Sequence, residues 1–252
     1  MSNTLSNCIV GLIKAFKGHA AELLRHPAGT HVLDDLYSVA TPAQRNSLAA
    51  EFYGREYSLF AGGTLNTIKG APASLMEILS AVEPPKRRDV IHHIASSITP
   101  VIEKGLVDCQ LAHRLIAEYL TAAPGSLVEE AVGLLSGDAM MHMLHTRHGA
   151  TASCMIFAYG TSKTRKKALK ALKGHISTAV RDEWAYLPLI TALSVVDDTA
   201  SLQKFIVADL EVRSLVACLL TAYIESELVF AERTCEDICI DGRTESLLTS
   251  VD

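Results

Sequence analysis

Apolar residues along this chain recur at helical spacing in short blocks, each closed by glycine or proline, and no run alternates long enough to predict a strand. The first block predicts three helices. They are Leu5 to Phe16, a short one from His19 to Leu24, and a third from Thr30 to Val39 with Val32, Leu33 and Leu36 on one face. Gly18 and the Pro27-Ala28-Gly29 stretch fall where those helices must stop. The expected class is all-α.

The block then returns. Ile13-Lys14-Ala15-Phe16-Lys17-Gly18-His19 reappears 156 residues later as Leu169-Lys170-Ala171-Leu172-Lys173-Gly174-His175, each copy followed by a break and another apolar helix pattern. Sliding this three-helix unit along the chain places equivalents of Gly29 at about Pro72, Leu111, Gly149 and Ala185, with a sixth unit opening near Thr199. The opening helices carry start signals at Thr41-Pro42, Glu83-Pro84-Pro85, Pro124-Gly125-Ser126 and Thr161-Ser162. The second unit is the most degenerate, because Ala61 to Ala73 holds Gly62-Gly63 and Gly70 and predicts a bend or loop. A unit of this size cannot bury its apolar face alone, so the units must stack into an α-solenoid of three-helix repeats, a description that armadillo and HEAT arrays also meet. The array is expected over residues 5–210. Residues 211–252 form an acidic C-terminal segment expected to be partly disordered.

Charge changes this picture only when read by region. The net charge of −5 argues against a nucleic-acid partner, yet Asp197 to Asp252 holds twelve acidic and four basic residues, which leaves residues 1–196 at +3. Gly160 to Arg181 contains seven Lys/Arg and no carboxylate. Six dispersed cysteines without paired spacing predict a reducing compartment and no zinc site. The longest apolar run, Leu215 to Ile224, falls short of the ~20 residues of a membrane span, so a soluble chain without membrane partners is expected.

Candidate chemistry thins out on inspection. His142, His145 and His148 lie among Met140, Met141 and Met143, but i, i+3, i+6 spacing fans three imidazoles around a helix, so Met packing with surface histidines is expected and no metal or other cofactor. Gly160-Thr161-Ser162-Lys163-Thr164 lacks the first glycine and the preceding strand of a phosphate loop. No nucleophile stands at informative spacing from a base, so the chain is not expected to be an enzyme.

Other residues carry a specific resemblance. Arg25-His26-Pro27-Ala28-Gly29-Thr30-His31-Val32-Leu33 followed by Thr41-Pro42-Ala43-Gln44-Arg45 resembles a pumilio (PUF) repeat and its junction. His145-Thr146-Arg147-His148-Gly149-Ala150, Tyr159-Gly160-Thr161-Ser162-Lys163-Thr164-Arg165-Lys166-Lys167 and Val196-Asp197-Asp198-Thr199 resemble the divergent Puf-A, or penguin-like, branch. The likeness runs from about Leu12 to Leu210 and corresponds to the C-terminal part of that family. It implies a protein of the nucleus and nucleolus that binds structured RNA or DNA with little sequence preference. It also implies a role in pre-rRNA processing during large-subunit assembly, with pre-ribosomal assembly proteins as further partners.

Pumilio repeats that read sequence use three side chains of each unit's last helix, at i, i+1 and i+4. Here these positions hold Thr30, His31 and Asp34 in the first unit, then Ala112, His113 and Ile116, then Ala150, Thr151 and Cys154, then Tyr186, Leu187 and Ile190. Apolar groups offer nothing to a base edge, so no code of one base per repeat is expected and at most one unit could read a base. Phosphate contact needs only cations along a path. Lys163, Arg165, Lys166, Lys167, Lys170 and Lys173 share one predicted helix, with Lys163, Lys166, Lys167 and Lys170 on a common face, and Arg25 and Arg147 precede last helices. A solvated helix face accounts for the same lysines equally simply, and it is the reading preferred for Lys86-Arg87-Arg88 with His92-His93. For His113, repeat packing is the expected role. The expectation is thus a sequence-independent RNA-binding solenoid. A protein-interaction scaffold in a ribosome-assembly complex and a truncated family member without independent activity are the alternatives.

Overall fold

The computed structural model describes residues 10–16, 18–54 and 74–210, and among these every regular element is a helix. A helical stretch at 10–16 precedes α1 (Ala20–Leu24) and α2 (Pro27–Val39) in the first unit. The second opens with α3 (Pro42–Ala50) and closes with α4 (Leu75–Ala81). The third holds α5 (Pro84–Glu103) and α6 (Gln110–Ala122), and the fourth α7 (Gly125–Leu135), α8 (Asp138–Met143) and α9 (Arg147–Tyr159). Then come α10 (Ser162–Leu172), α11 (Ile176–Ala179) and α12 (Tyr186–Val195), and finally α13 (Thr199–Phe205) with a 3₁₀ turn at Val207–Leu210. The third unit departs from the three-helix expectation, since Leu106 to Cys109 joins α5 to α6 without a middle helix. The anchor near Pro72, the Ala61 to Ala73 bend and the segment 211–252 lie outside the described residues.

The molecule is an all-α solenoid in which last helices stack on last helices: α9 lies between α6 and α12, and α6 also packs on α2 and α4. Their matching frame is written in their caps. His26 and Ala40, Cys109 and Ala123, and Thr146 and Gly160 flank three helices of equal length. In the fifth unit, where α12 begins later with Ala185 as its N-cap, Asp182 stands at the matching place in the repeat, its carboxylate accepting from the Ala185 N–H at 2.9 Å as Thr146 Oγ1 accepts from Gly149 at 3.1 Å. Within this frame Leu33, Leu36 and Tyr37 of α2 correspond to Leu75, Ile78 and Leu79 of α4 and to Ser153, Ile156 and Phe157 of α9, all buried. Val32, expected on that face, is 47% exposed, because one residue from Leu33 is about 100° around a helix.

Close packing also explains the glycine at the third helical position. A Cβ on Gly29 would stand 2.5 Å from the Leu23 carbonyl oxygen, and one on Gly149 2.0 Å from that of Met143. α2 and α9 thus start hard against the ends of the short helices α1 and α8. A second set of glycines closes the opening helices: Gly18, Gly54, Gly105, Gly137 and Gly174 have φ between 67° and 142°. The Gly-His pair of the repeated motif marks this left-handed turn. In both copies a carboxylate of the following unit accepts the glycine N–H, Glu51 from Gly18 at 3.0 Å and Asp209 from Gly174 at 2.5 Å.

Candidate nucleic-acid interface

The junctions between units position every side chain of interest. Extended C-caps at Ala40, Val82, Ala123 and Gly160 are followed directly by N-caps Thr41, Glu83, Pro124 and Thr161, so a last helix turns into the next opening helix without a spacer. Thr41 makes a capping box with Gln44, and Thr161 accepts from the Thr164 N–H. Four residues after the cap, an arginine turns back onto the carbonyls just passed. Arg45 donates to Tyr37 and Ser38, both at 2.8 Å, and Arg87 to Val82 at 3.0 Å. Arg165 donates to Phe157, Ala158 and Val195 at 2.7, 2.9 and 3.2 Å. Arg165 is therefore removed from the predicted phosphate set: its guanidinium fastens α10 to the ends of α9 and α12, where carbonyls lack helical partners.

The base-edge row is occupied by the fold. Thr30 is 3% exposed, with its hydroxyl 3.0 Å from the Leu24 carbonyl and 3.1 Å from that of His26, so it faces inward and offers nothing to a base. Asp34 Oδ1 accepts the Gln110 N–H at 2.8 Å and thereby caps α6 across two units. Only His31 of the first trio stands exposed. In α6 the frame set by Cys109 shifts the expected positions by one residue, to His113, Arg114 and Ala117. Cys109 makes no side-chain cap, and nothing local marks where that helix starts. All three are buried. Thr151 in α9 is exposed between buried Ala150 and half-buried Cys154, while Tyr186, Leu187 and Ile190 of α12 are half-buried.

Arg114 and His113 hold neighbouring units together. Arg114 donates to Glu118 and to Asn46, each at 2.9 Å, and the Tyr53 hydroxyl donates to the second Glu118 oxygen at 2.5 Å, joining α6 to the second unit. Burial, reinforced by the Glu118 charge, holds the Tyr53 phenol well above its usual range. His113 is fully buried between the Val107 carbonyl, bonded to Nε2, and the Thr146 hydroxyl, 2.7 Å from Nδ1. The carbonyl requires the proton on Nε2, leaving Nδ1 to accept from Thr146. Burial pushes this imidazole down to about 4, so it is neutral at neutral pH. Because Thr146 also caps α9, one neutral histidine fixes the register of the third unit against the fourth.

The lysine face is different. Lys163, Lys166, Lys167, Lys170 and Lys173 are all exposed on or at the end of α10, opposite the buried stripe Ala168, Leu169 and Leu172. The stem of Lys167 lies across Gly137, where an added Cβ would come within 3.0 Å of its Cε. No ion pair among the described residues involves any of the five. Of the two arginines in the predicted set, Arg147 is the first residue of α9 and exposed, while Arg25 donates to the Ser96 carbonyl at 3.1 Å and is half-buried against α5. The lysines belong to the layer of opening helices, packed on α8, α9 and α13, whereas Arg147 and His31 sit in the layer of last helices. Among the described residues no cluster of His, Cys, Asp or Glu could hold a metal ion, and His142 pairs with Asp108 at 2.8 Å.

Known proteins share this fold. No family model matches the chain. Pumilio homolog 24 of Arabidopsis thaliana is 34% identical over 203 residues, covering 81% of this chain and 31% of its own length. Pumilio homology domain family member 6 of Saccharomyces cerevisiae is 32% identical over 185 residues, 73% of this chain and 27% of its own. The crystal structure of human Puf-A superposes with a TM-score of 0.71 at 26% identity, over 80% of this chain and 38% of that one. The chain is a divergent pumilio-repeat protein of the Puf-A type. It spans about 30% of the length of the curated relatives it matches. Human Puf-A in complex with DNA shares the fold at 20% identity and the same TM-score.

In this Puf-A-type array the engagements between units missed from sequence are those of Arg45, Arg87, Asp34 and Arg114, whereas His113 takes the packing role expected of it. The arginines carried a signal, since each stands four residues after a junction cap. Asp34 and Arg114 carried none, because their partners are 76 and 68 residues away.

Proposed function

We propose that this chain binds RNA through its phosphate backbone, using the lysine face of α10, without reading sequence. The observation that carries the proposal is a contrast between two surfaces: five exposed lysines that form no ion pair among the described residues, beside a base-edge row that, exposed His31 apart, is buried, apolar or bonded within the fold. Clustered cations release condensed counterions from a nucleic acid whatever its sequence, so such a face supplies affinity without discrimination. The relatives are pumilio proteins, and human Puf-A has been crystallised with DNA, in keeping with a nucleic-acid-binding repeat protein. The biological setting we infer is the nucleolus, in pre-rRNA processing and large-subunit assembly on structured pre-rRNA, alongside assembly proteins. The test is binding to structured RNAs of unrelated sequence. Comparable affinity for all of them is expected, and strong preference for one would overturn the reading.

A protein-interaction role is favoured by a separate observation. Val39 and Tyr159, the last residues of α2 and α9, and Leu193 of α12 are 60%, 58% and 41% exposed, an apolar margin at the C-terminal ends of the stacked helices. Beside Tyr159, Leu120, Thr121, Ser126 and Glu129 line a depression of about 410 Å³. Partners retained after nuclease treatment, and lost on Tyr159→Asp, would assign that margin to protein contact.

A further inference from the structure

Of the four junctions where a last helix turns directly into an opening helix, three carry an arginine four residues after the cap: Arg45, Arg87 and Arg165. The fourth does not. Four residues after Pro124 stands Val128, which is buried and has no donor in its side chain. The carbonyls that the arginine serves elsewhere are still there. Arg45 and Arg165 bond the carbonyls four and three residues before their caps, those of Tyr37 and Ser38 in one case and of Phe157 and Ala158 in the other. The matching residues before Pro124 are Leu120 and Thr121. Among the described residues no donor is bonded to either carbonyl, and Pro124, four residues after Leu120, has no N–H to give.

The depression of about 410 Å³ beside Tyr159 lies at this same place, lined by Leu120, Thr121, Val128 and Glu129. The surface thus opens at the junction that lacks its own arginine. The charge around it suits a cation from outside. Among the described opening helices α7 alone holds no Lys or Arg, and it carries Glu129 and Glu130, both exposed. Glu129 forms no ion pair among the described residues. A carboxylate, two carbonyl oxygens and the face of a tyrosine ring together favour a planar, weakly hydrated cation and repel phosphate. Guanidinium over phenol is already used in this chain, where Arg45 stands 5.1 Å from the centre of the Tyr37 ring.

We propose that the α6–α7 junction binds an arginine side chain of a partner polypeptide, whose guanidinium takes the place that Arg45 and Arg165 fill from within the chain at their own junctions. The Leu120 and Thr121 carbonyls accept its N–H groups, Glu129 balances its charge, and Tyr159 covers its stem. Lysine is a poorer ligand, because one ammonium cannot present a planar fork to several acceptors at once. The partner rests on the protein-contact reading of the margin around Tyr159, whereas the arginine site does not. Nucleic acid is turned away here by Glu129 and Glu130, so this junction and the lysine face of α10 serve different ligands.

The experiment titrates N-acetyl-arginine methylamide into the full isotope-labelled chain and follows backbone amides by NMR. Saturable shifts are expected at Leu120, Thr121, Ser126 and Glu129, with affinity about fivefold lower for the lysine analogue and no binding of the neutral citrulline analogue. No saturable shift, or equal shifts with citrulline, overturns the proposal. Val128→Arg supplies the guanidinium from within and is expected to abolish the shifts, so their persistence in the folded variant overturns it as well. Glu129→Gln, an exposed change that leaves the core alone, is expected to weaken binding about fivefold, and unchanged affinity would again overturn the site. Arginine binding in a chain that keeps no partner after nuclease treatment leaves the site standing and removes the protein-contact reading. Partners lost on Tyr159→Asp, with no binding of the arginine probe, do the reverse.

Discussion

The start of α6 and the outer face of α10 both hold cations or titratable groups, yet they are built to opposite ends. At α6, His113 and Arg114 are buried and every polar atom with a described bond is directed at another unit or along its own: Val107, Thr146, Asn46, Glu118. On α10, five lysines are exposed and form no ion pair among the described residues, and the one arginine in the series, Arg165, is drawn inward onto three carbonyls. The same pumilio scaffold thus turns its recognition row into mortar and leaves its charge on the opening-helix layer. In a repeat array the sequence position of a side chain gives its place in the unit. Neighbouring units decide whether that place is free.

Substitutions can break this contrast from the structural side first. Gly149→Ala drives a methyl group into the Met143 carbonyl and is expected to destabilise by about 3 kcal/mol, read by urea unfolding. Gly133→Ala, in the exposed part of α7 with nothing within 4 Å, is expected to stabilise by about 0.5–1 kcal/mol. If both behave alike, the tight seat of the last helices is wrong.

The His113 lock is tested by pH. An unfolded histidine titrates at about 6.5 and the buried one at about 4, so between those values the unfolded chain holds more protons. The stability that neutral His113 provides is complete above about pH 6.5 and is lost as pH falls to about 4, by roughly 3 kcal/mol in all. Urea midpoints measured across that range should decline, and His113→Gln should flatten the decline. An unchanged slope in the variant would mean that other groups govern it.

Arg165 and Lys166 are neighbours in sequence with separate duties. Arg165→Gln is expected to cost about 2 kcal/mol of stability by removing its charge-assisted bonds. Lys166→Gln should leave the unfolding midpoint in place and weaken RNA binding. Equal weakening of binding by both, with stability unmoved, would erase the distinction between them. The smallest effect belongs to His31→Ala. As the one exposed member of its trio, it should change affinity by less than about threefold and for all sequences alike, measured by fluorescence anisotropy.

Much of the array was legible in the sequence because its punctuation is local. Thr41-Pro42 and Thr161-Ser162 cap helices through hydroxyls three residues from their partners, and Gly18 and Gly174 take left-handed turns wherever the unit recurs. The frame slipped at α6, where Cys109 offers no hydroxyl and the middle helix of the unit is missing. The candidate interface was legible only as composition. That Arg165 and Thr30 turn inward depends on the Val195, Phe157 and Leu24 carbonyls, whose positions come from packing between helices and not from spacing along one.

We propose that phosphate binding by the α10 lysines, and not base reading, gives this chain its affinity for RNA. The direct measurement is affinity against salt for several unrelated RNA hairpins, comparing the unmodified chain with K166E/K167E/K170E. Weakening by a similar factor is expected for every hairpin, with a salt slope shallower by roughly 0.7–0.9 for each phosphate that is no longer neutralised. Affinity and slope that survive the charge reversal, or weakening confined to one sequence, would contradict it.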